Sequence, residues 1–203
     1  MTARYVAFEG AEGCGKSSQA ARLAAAVGAL LTRETGGTPI GQRIRTILHD
    51  NAVTDLADRA EALLTAADRA QHLEQVVLPA LAAGRHVVSD RSVHSSLAYQ
   101  GYGRELPIDD VRRINDWAIA GRWPDLVLLL DVAPDRLAAR MQGRDLDRFE
   151  RESDEFHRRV IDGFHRMAAA DPDRWVVLDG NGTADEVELA VRRVVHDRWG
   201  WCA

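Results

Sequence analysis

The residues from Gly10 to Ser18 carry the clearest chemical signal in the sequence. They read GAEGCGKSS, which fits the pattern G-x-x-x-x-G-K-[ST] between an apolar run and a helical pattern. In that context the backbone N–H groups close around phosphate oxygens, the lysine reaches the β- and γ-phosphates, and the serine hydroxyl can hold Mg²⁺. We therefore predict a loop that binds nucleotide phosphates, made of Gly10, Ala11, Glu12, Gly13, Cys14, Gly15, Lys16, Ser17 and Ser18.

Lys16 is unusual in this chain because it is the only lysine among 26 lysine and arginine residues. A compact ammonium on a flexible stem fits inside such a loop, whereas a wide planar guanidinium does not replace it. The sequence uses arginine everywhere else. We therefore expect Lys16 to be needed for function.

The elements that must position this loop follow a simple alternation of strands and helices. Apolar runs typical of strands end close to polar residues, and helical patterns separate them. One long helical pattern covers 55–83, with Asp55 as the predicted N-cap. The alternation predicts an α/β fold with a five-stranded parallel sheet flanked by helices, of the P-loop NTPase type. The predicted strands are 4–10, 29–34, 86–90, 126–131 and 175–180.

Composition limits the classes of function. The chain has 203 residues, 46% of them hydrophobic, and a net charge of −5, which together suit one domain over residues 1–203. The acidic balance argues against nucleic acid or a membrane surface as a partner. The two cysteines have no C-x-x-C spacing, and no apolar run reaches the ~18 residues of a membrane span. We expect a cytoplasmic protein.

Four later segments narrow the reaction. They read TRETGGTP (32–39), EALLTAADRAQH (61–72), SDRSVHSSLAYQG (89–101) and GRDLDRFE (143–150). With the phosphate loop, and in this order, they make the sequence from about Arg4 to Asp179 resemble the thymidylate kinase family. The resemblance implies transfer of the γ-phosphoryl group of ATP to dTMP with Mg²⁺, giving dTDP and ADP in dTTP biosynthesis. It also implies a homodimer and a lid over about 141–152.

The resemblance further implies roles for individual residues. Ser17 and Asp90 would hold Mg²⁺. The catalytic groups would be Glu12, Lys16, Arg91, Arg144 and Arg148, with the lid arginines supplying the cation that the phosphate loop lacks. The contacts to dTMP would come from Glu12, Arg33, Arg45, Thr65, Arg69, Arg91, Ser96, Tyr99 and Gln100.

The sequence departs from the family pattern at three of these segments. Thr65 stands where relatives usually carry a phenylalanine stacked on the base, which removes a stacking surface. Thr35 replaces the proline of T-R-E-P-G-G-T, and Ser92 replaces an aromatic residue or histidine after Asp-Arg. We interpret the last two as drift around a retained site.

Two other functions remain open from the sequence. A related kinase could act on a different base, and Thr65 favours that alternative. A P-loop switch that binds protein partners is the second alternative, but the guanine-reading pattern N-K-x-D is absent because the only lysine is Lys16. A panel of acceptor nucleotides distinguishes these possibilities.

Overall fold

The computed structural model describes residues 2–201. Its centre is one sheet of five parallel strands in the spatial order β2-β3-β1-β4-β5, which confirms the predicted sheet and the P-loop NTPase fold. Helical crossovers between parallel strands cover both faces of such a sheet. The strands are β1 Tyr5–Glu9, β2 Leu30–Arg33, β3 Val87–Asp90, β4 Leu126–Asp131 and β5 Trp175–Asp179.

Nine α-helices and two π-helical segments surround the sheet within residues 2–201. The π-helical segments are Leu73–Val77 and Leu97–Gly103. The α-helices are α1 Lys16–Val27, α2 Pro39–His49, α3 Asp58–His72, α4 Leu78–Ala82, α5 Val93–Ser96, α6 Ile108–Ala118, α7 Pro134–Met141, α8 Asp154–Ala170 and α9 Ala184–Trp199.

The predicted N-cap at Asp55 is wrong. The helix α3 begins at Asp58, and Ala57 occupies the cap position. The chain before it makes a turn, in which the Asp50 carboxylate accepts a hydrogen bond from the Ala52 N–H at 2.9 Å. Short polar side chains of this kind stabilise turns in competition with helix, so the helical pattern starts later than the sequence suggests.

The core has two main layers because side chains of β4 alternate between the faces of the sheet. Leu128 packs on one face, in the cluster that includes residues of α1 and α9. Val127 and Leu129 pack on the other face, where α8 contributes Phe156 and Phe164. The first of these clusters also contains Val6 and Phe8 of β1, so the loop that follows β1 starts from a buried strand.

Trp201, the last residue that the structure describes, packs at the amino ends of the strands. It is 8% exposed, and its ring lies 4.3 Å from that of His86, just before β3. The phosphate loop follows the carboxyl end of β1, so Trp201 is at the opposite edge of the sheet. Cys202 lies outside the described residues. None of the helices in residues 2–201 combines the length and apolar character needed to cross a membrane.

Candidate active site

The loop after β1 has the backbone that a phosphate site needs. Gly10 has a φ of 140°, and a Cβ atom there would lie 2.7 Å from the Leu130 carbonyl oxygen, so only glycine fits. Gly15, with a φ of 100°, immediately precedes α1 and provides no side-chain cap. The first N–H groups of α1 are therefore free of a capping side chain and face the region where an anion is favoured.

Lys16 lies inside this loop. Its Nζ donates hydrogen bonds to the Gly10 carbonyl at 3.1 Å and to the Ala11 carbonyl at 2.7 Å, and it lies 3.6 Å from Cys14 Sγ. The side chain is buried, as is that of Cys14. A guanidinium could not occupy the same space between two carbonyl groups of one tight turn.

The loop opens into a cleft of about 560 Å³ at the carboxyl edge of the sheet. The register places Arg33 at the end of β2 beside Asp90 at the end of β3, and Phe8 of β1 is on the other side of Asp90. The predicted residues that line this cleft are Glu12, Gly13, Gly15, Lys16, Ser17, Ser18, Arg33, Arg45, Thr65, Arg69, Asp90, Arg91, Tyr99, Gln100 and Arg144. The predicted residues outside its lining are Gly10, Ala11, Cys14, Ser96 and Arg148.

Ser17 and Asp90 meet across the cleft. The Ser17 hydroxyl donates a hydrogen bond to Asp90 Oδ2 at 2.5 Å, although the two residues are 73 positions apart. A hydroxyl and a carboxylate are hard oxygen donors, which is the ligand chemistry that Mg²⁺ takes beside substrate phosphates. The two residues fit the metal that the sequence implies.

Arg91 forms the centre of a polar cluster. It contacts the Glu12 carboxylate, donates to the Tyr99 hydroxyl at 3.1 Å and to Ser95 Oγ at 3.0 Å, and lies over the Tyr99 ring. Burial raises the pKa of Glu12, but the charges of Arg91 and Lys16 outweigh it and lower that pKa to about 2. Burial also raises the pKa of Tyr99. Glu12 is therefore a carboxylate, and Tyr99 a neutral phenol, at neutral pH.

Two further arginines converge on the same end of the cleft. Arg33 donates to Gln42 Oε1 at 3.1 Å, and Arg45 donates to the Thr35 carbonyl at 3.3 Å. Burial, followed by the nearby charge of Arg33, lowers the pKa of Arg45. Thr35 follows a cis peptide bond with Glu34. Uncompensated positive charge in a cleft favours an anionic ligand.

Arg69 is buried to 2% exposure, and protein groups contact each of its three guanidinium nitrogens, although it still lines the cleft. Its Nε lies 2.9 Å from Glu34 Oε2. One terminal nitrogen donates to Ser96 Oγ at 2.5 Å, and the other donates to the Ser92 carbonyl at 2.9 Å. Ser96 therefore lies behind Arg69 and orients it, which explains why Ser96 does not line the cleft.

Thr65 and Gln100 complete the deep end of the cleft. The Thr65 hydroxyl donates to the Ala62 carbonyl at 2.9 Å and lies 3.0 Å from Ser96 Oγ. The Gln100 amide nitrogen donates to buried Glu61 at 2.9 Å. Since the amide nitrogen is bound to Glu61, Gln100 can offer its side-chain carbonyl oxygen to a ligand as an acceptor.

The segment 142–153 between α7 and α8 corresponds to the predicted lid, and its two arginines differ. Arg144 lines the cleft and is half-exposed, with Glu150 at 3.4 Å. Arg148 points elsewhere, because it donates to the Leu48 carbonyl at 2.8 Å and to Glu61 Oε2 at 2.5 Å. In this arrangement only Arg144 of the pair faces the cleft.

Sequence reasoning missed several residues that line the cleft. Arg140 of α7 donates to the Gly13 and Cys14 carbonyls, each at 3.4 Å. Phe149 supplies an apolar wall, and its ring meets that of Tyr99 edge-on at 5.9 Å. His49 also lines the cleft and lies 2.6 Å from Asp147 of the lid. Phe149 stands as an isolated aromatic residue among charges in GRDLDRFE, which is a signal that could have identified it.

These features define a class. A parallel sheet of the P-loop type, a glycine-rich loop holding its lysine, a Ser–Asp pair and several converging arginines form a nucleotide-binding site suited to phosphoryl transfer. Residues 8–191 match the family model described as thymidylate kinase.

Individual relatives agree with that model. A thymidylate kinase from Neisseria gonorrhoeae (strain NCCP11945) is 42% identical over 98% of this chain and 100% of its own length. One from Pelotomaculum thermopropionicum is 44% identical over 97% of this chain and 94% of its own. The crystal structure of thymidylate kinase from Ehrlichia chaffeensis superposes with a TM-score of 0.79, at 29% identity, over 97% of this chain and 99% of that one. The chain belongs to the thymidylate kinase family.

Proposed function

We propose that this chain is an ATP-dependent dTMP kinase, which transfers the γ-phosphoryl group of ATP to dTMP and releases dTDP and ADP. Family membership supports this activity. The main structural observation in favour of this activity is one continuous cleft. It runs from the phosphate loop to a buried polar pocket at Arg69 and Gln100. Such a cleft can hold a donor and an acceptor nucleotide end to end.

The phosphate loop binds the donor in this proposal. The free N–H groups at the start of α1 hold the phosphates of ATP, and Lys16 moves its ammonium from the loop carbonyls to the transferred group. Ser17 and Asp90 would hold Mg²⁺, which would supply positive charge to neutralise the donor phosphates. Arg33, Arg45 and Arg91 hold the phosphate of dTMP in line with the donor.

The transition state requires a further cation, because charge is redistributed among the phosphoryl oxygens during transfer. The phosphate loop has no arginine. We assign the role of catalytic cation to Arg144, which lines the cleft. Arg140 stabilises the phosphate loop through its hydrogen bond to the Gly13 carbonyl. Arg148 anchors the lid through Glu61.

The acceptor base lies at the deep end in this proposal. Phe149 provides an apolar wall, while Arg69 and the Gln100 carbonyl supply a donor and an acceptor for the edge of the base. Tyr99 packs beside the sugar, and Thr65 leaves room next to the base. Thr65 in the cleft lining, in place of an aromatic residue, is the observation that keeps a related kinase with another acceptor as the second candidate.

A coupled ADP-release assay tests the function. The acceptors are dTMP, dUMP, UMP, CMP, AMP and GMP, and the Lys16→Met variant controls for contaminating kinases. We expect dTMP to give the highest kcat/KM by at least about tenfold, a difference of about 1.4 kcal/mol. A higher value for another nucleotide would establish the second candidate. Hydrolysis of ATP without any preferred acceptor would support a switch protein instead.

We also propose that two copies associate through the surface formed by α2, α3 and α6, and that the enzyme acts in the cytoplasm, where its nucleotide substrates are. Ile40 and Ile47 lie two turns apart on α2 and share a face. Leu63 on α3 and Trp117 on α6 are also exposed, Trp117 to 85%. Four large exposed apolar side chains on adjacent helices are typical of an interface.

Light scattering on the purified protein tests the association. We expect a dimer that dissociates when Leu63→Glu and Trp117→Glu are combined. Leu189→Glu is a matched control, because Leu189 is an exposed leucine on α9. An unchanged dimer in the double variant would place the interface elsewhere.

A further inference from the structure

Glu9 is a buried carboxylate with no assigned role. It ends β1, directly before the phosphate loop, and its exposure is 0%. Its Oε1 accepts hydrogen bonds from the Ser92 N–H and the Ser92 hydroxyl, both at 2.8 Å. Its Oε2 accepts a hydrogen bond from the Ser95 hydroxyl at 2.6 Å. Burial raises the pKa of Glu9, and three donors oppose that effect by stabilising the ionised form.

The first connection from Glu9 leads to the side chain of Arg91. The Ser95 hydroxyl donates to Glu9 and at the same time accepts from an Arg91 guanidinium nitrogen at 3.0 Å. Because its proton is directed to Glu9, the Ser95 oxygen presents its lone pairs toward Arg91. A buried carboxylate thus fixes the direction of a hydrogen bond that holds the guanidinium.

The second connection leads to the backbone of Arg91. Arg91 has a φ of 69°, in the left-handed region, which is strained for a residue other than glycine. Its N–H donates to the Phe8 carbonyl at 2.9 Å, and its carbonyl accepts from Ser89 Oγ at 2.7 Å. The next N–H along the chain, that of Ser92, is held by Glu9. Glu9 therefore stabilises the peptide that follows the strained residue.

We propose that Glu9 is a positioning residue for phosphoryl transfer, acting on Arg91 through Ser95 and through the Ser92 peptide. The proposal rests on the proposed function, in which Arg91 holds substrate phosphate. Glu9 does not line the cleft, so it cannot touch a substrate there and acts on the reaction through its neighbours. A displacement of about 1 Å at a phosphate-binding group can cost about a hundredfold in rate.

Glu9→Gln is the informative change because it keeps the shape and removes the charge. Glutamine has one acceptor oxygen, and that oxygen can stay with Ser92. Its NH₂ group then faces the Ser95 hydroxyl, whose proton loses its acceptor. The Ser95 hydroxyl must then reorient, and its oxygen is no longer held in position to accept the hydrogen bond from Arg91.

Steady-state kinetics of the full chain with ATP and dTMP test the proposal. For Glu9→Gln we expect kcat to fall about 10–100-fold, with the ATP KM changed less than about threefold. Ser95→Ala should lower kcat by a similar factor. The kcat of the double variant should lie within about threefold of the kcat of the slower single variant. Both changes break the same connection, so their effects should not multiply.

Two controls separate positioning from folding. Asn115→Ala also removes a buried hydrogen bond, to the Val111 carbonyl at 2.8 Å on α6, and should lower the melting temperature without changing kcat. Glu9→Asp keeps the carboxylate and should recover part of the kcat lost in Glu9→Gln. Circular dichroism and thermal melting show which variants are folded at the assay temperature.

Several outcomes would overturn the proposal. One is a folded Glu9→Gln protein whose kcat stays within twofold of the unmodified chain. Another is a double variant whose kcat loss is the product of the two single losses. If Glu9→Gln does not fold, a Ser95→Ala protein with unchanged kcat would overturn it equally. A chain that is inactive with dTMP before any substitution would contradict the proposed function instead.

Discussion

Replacing Arg69 with alanine should produce two separate losses, one in stability and one in dTMP affinity. Arg69 is buried, and Glu34 beside it is 3% exposed. The substitution leaves Glu34 with His72 as a partner, at 2.8 Å, but without its arginine. Breaking one side of a buried ion pair costs about 3–5 kcal/mol. In a chain of this length each kcal/mol lowers Tm by about 2–4 °C, so Tm should fall by about 6–20 °C.

The expected loss of affinity follows from the proposal that Arg69 contacts the base. A hydrogen bond from a charged donor is worth about 1.5–3 kcal/mol, so dTMP should bind roughly 10–150-fold more weakly. ATP lies at the other end of the cleft in our proposal and should bind almost as before. Isothermal titration calorimetry with each nucleotide at about 15 °C measures both affinities while the variant is still folded.

A second variant separates the two losses. In Arg69→Met combined with Glu34→Gln, no buried charge is left unpaired, so much of the lost stability should return. The dTMP affinity should stay low. Arg22→Ala is a control for removing an arginine from ion pairs, since Arg22 pairs with Asp185 and Glu188 at the surface and its loss should lower Tm far less. Equal losses of ATP and dTMP affinity in Arg69→Ala would refute the assignment of Arg69 to the base pocket.

Four further substitutions test the donor side, the lid and the base pocket. Lys16→Arg should abolish turnover in a protein that remains folded by circular dichroism, because a guanidinium does not fit within the loop; near-normal activity would contradict this. Arg144→Ala should lower kcat about a hundredfold or more with a smaller change in dTMP KM, as measured by steady-state kinetics. Arg148→Ala should instead act on thermal stability, and a kcat loss at unchanged Tm would make it the catalytic cation. Thr65→Phe should lower the dTMP KM by adding a stacking face worth about 1 kcal/mol, or about fivefold; a higher KM would mean that Phe149 already fills that space.

The phosphate loop could be predicted from the sequence because its chemistry is local. Nearly all its groups come from nine consecutive residues between one strand and one helix, so spacing alone determines that the N–H groups and Lys16 converge. The same holds for β4, where the apolar run and the strand coincide at Leu126–Asp131. The later segments supported the acceptor side only as a family resemblance.

The directions of the two arginines in segment 142–153 were decided by tertiary contacts. Arg144 and Arg148 look equivalent in the sequence, four residues apart in one charged segment. Their directions differ because Glu61, 87 positions from Arg148 on α3, is buried and accepts hydrogen bonds from both Arg148 and Arg104. A local pattern contains no information about such a partner.

Glu9 and Arg69 show the same division between sequence and tertiary structure. The sequence determined that Glu9 ends a strand and that Arg69 lies on a helix near Thr65. Only the folded chain brings Ser92 and Ser95 onto Glu9, and Glu34 onto Arg69. The reason is physical: a buried charge must be satisfied by groups within hydrogen-bonding distance, and in a parallel sheet those groups come from strands and helices that are far apart along the chain.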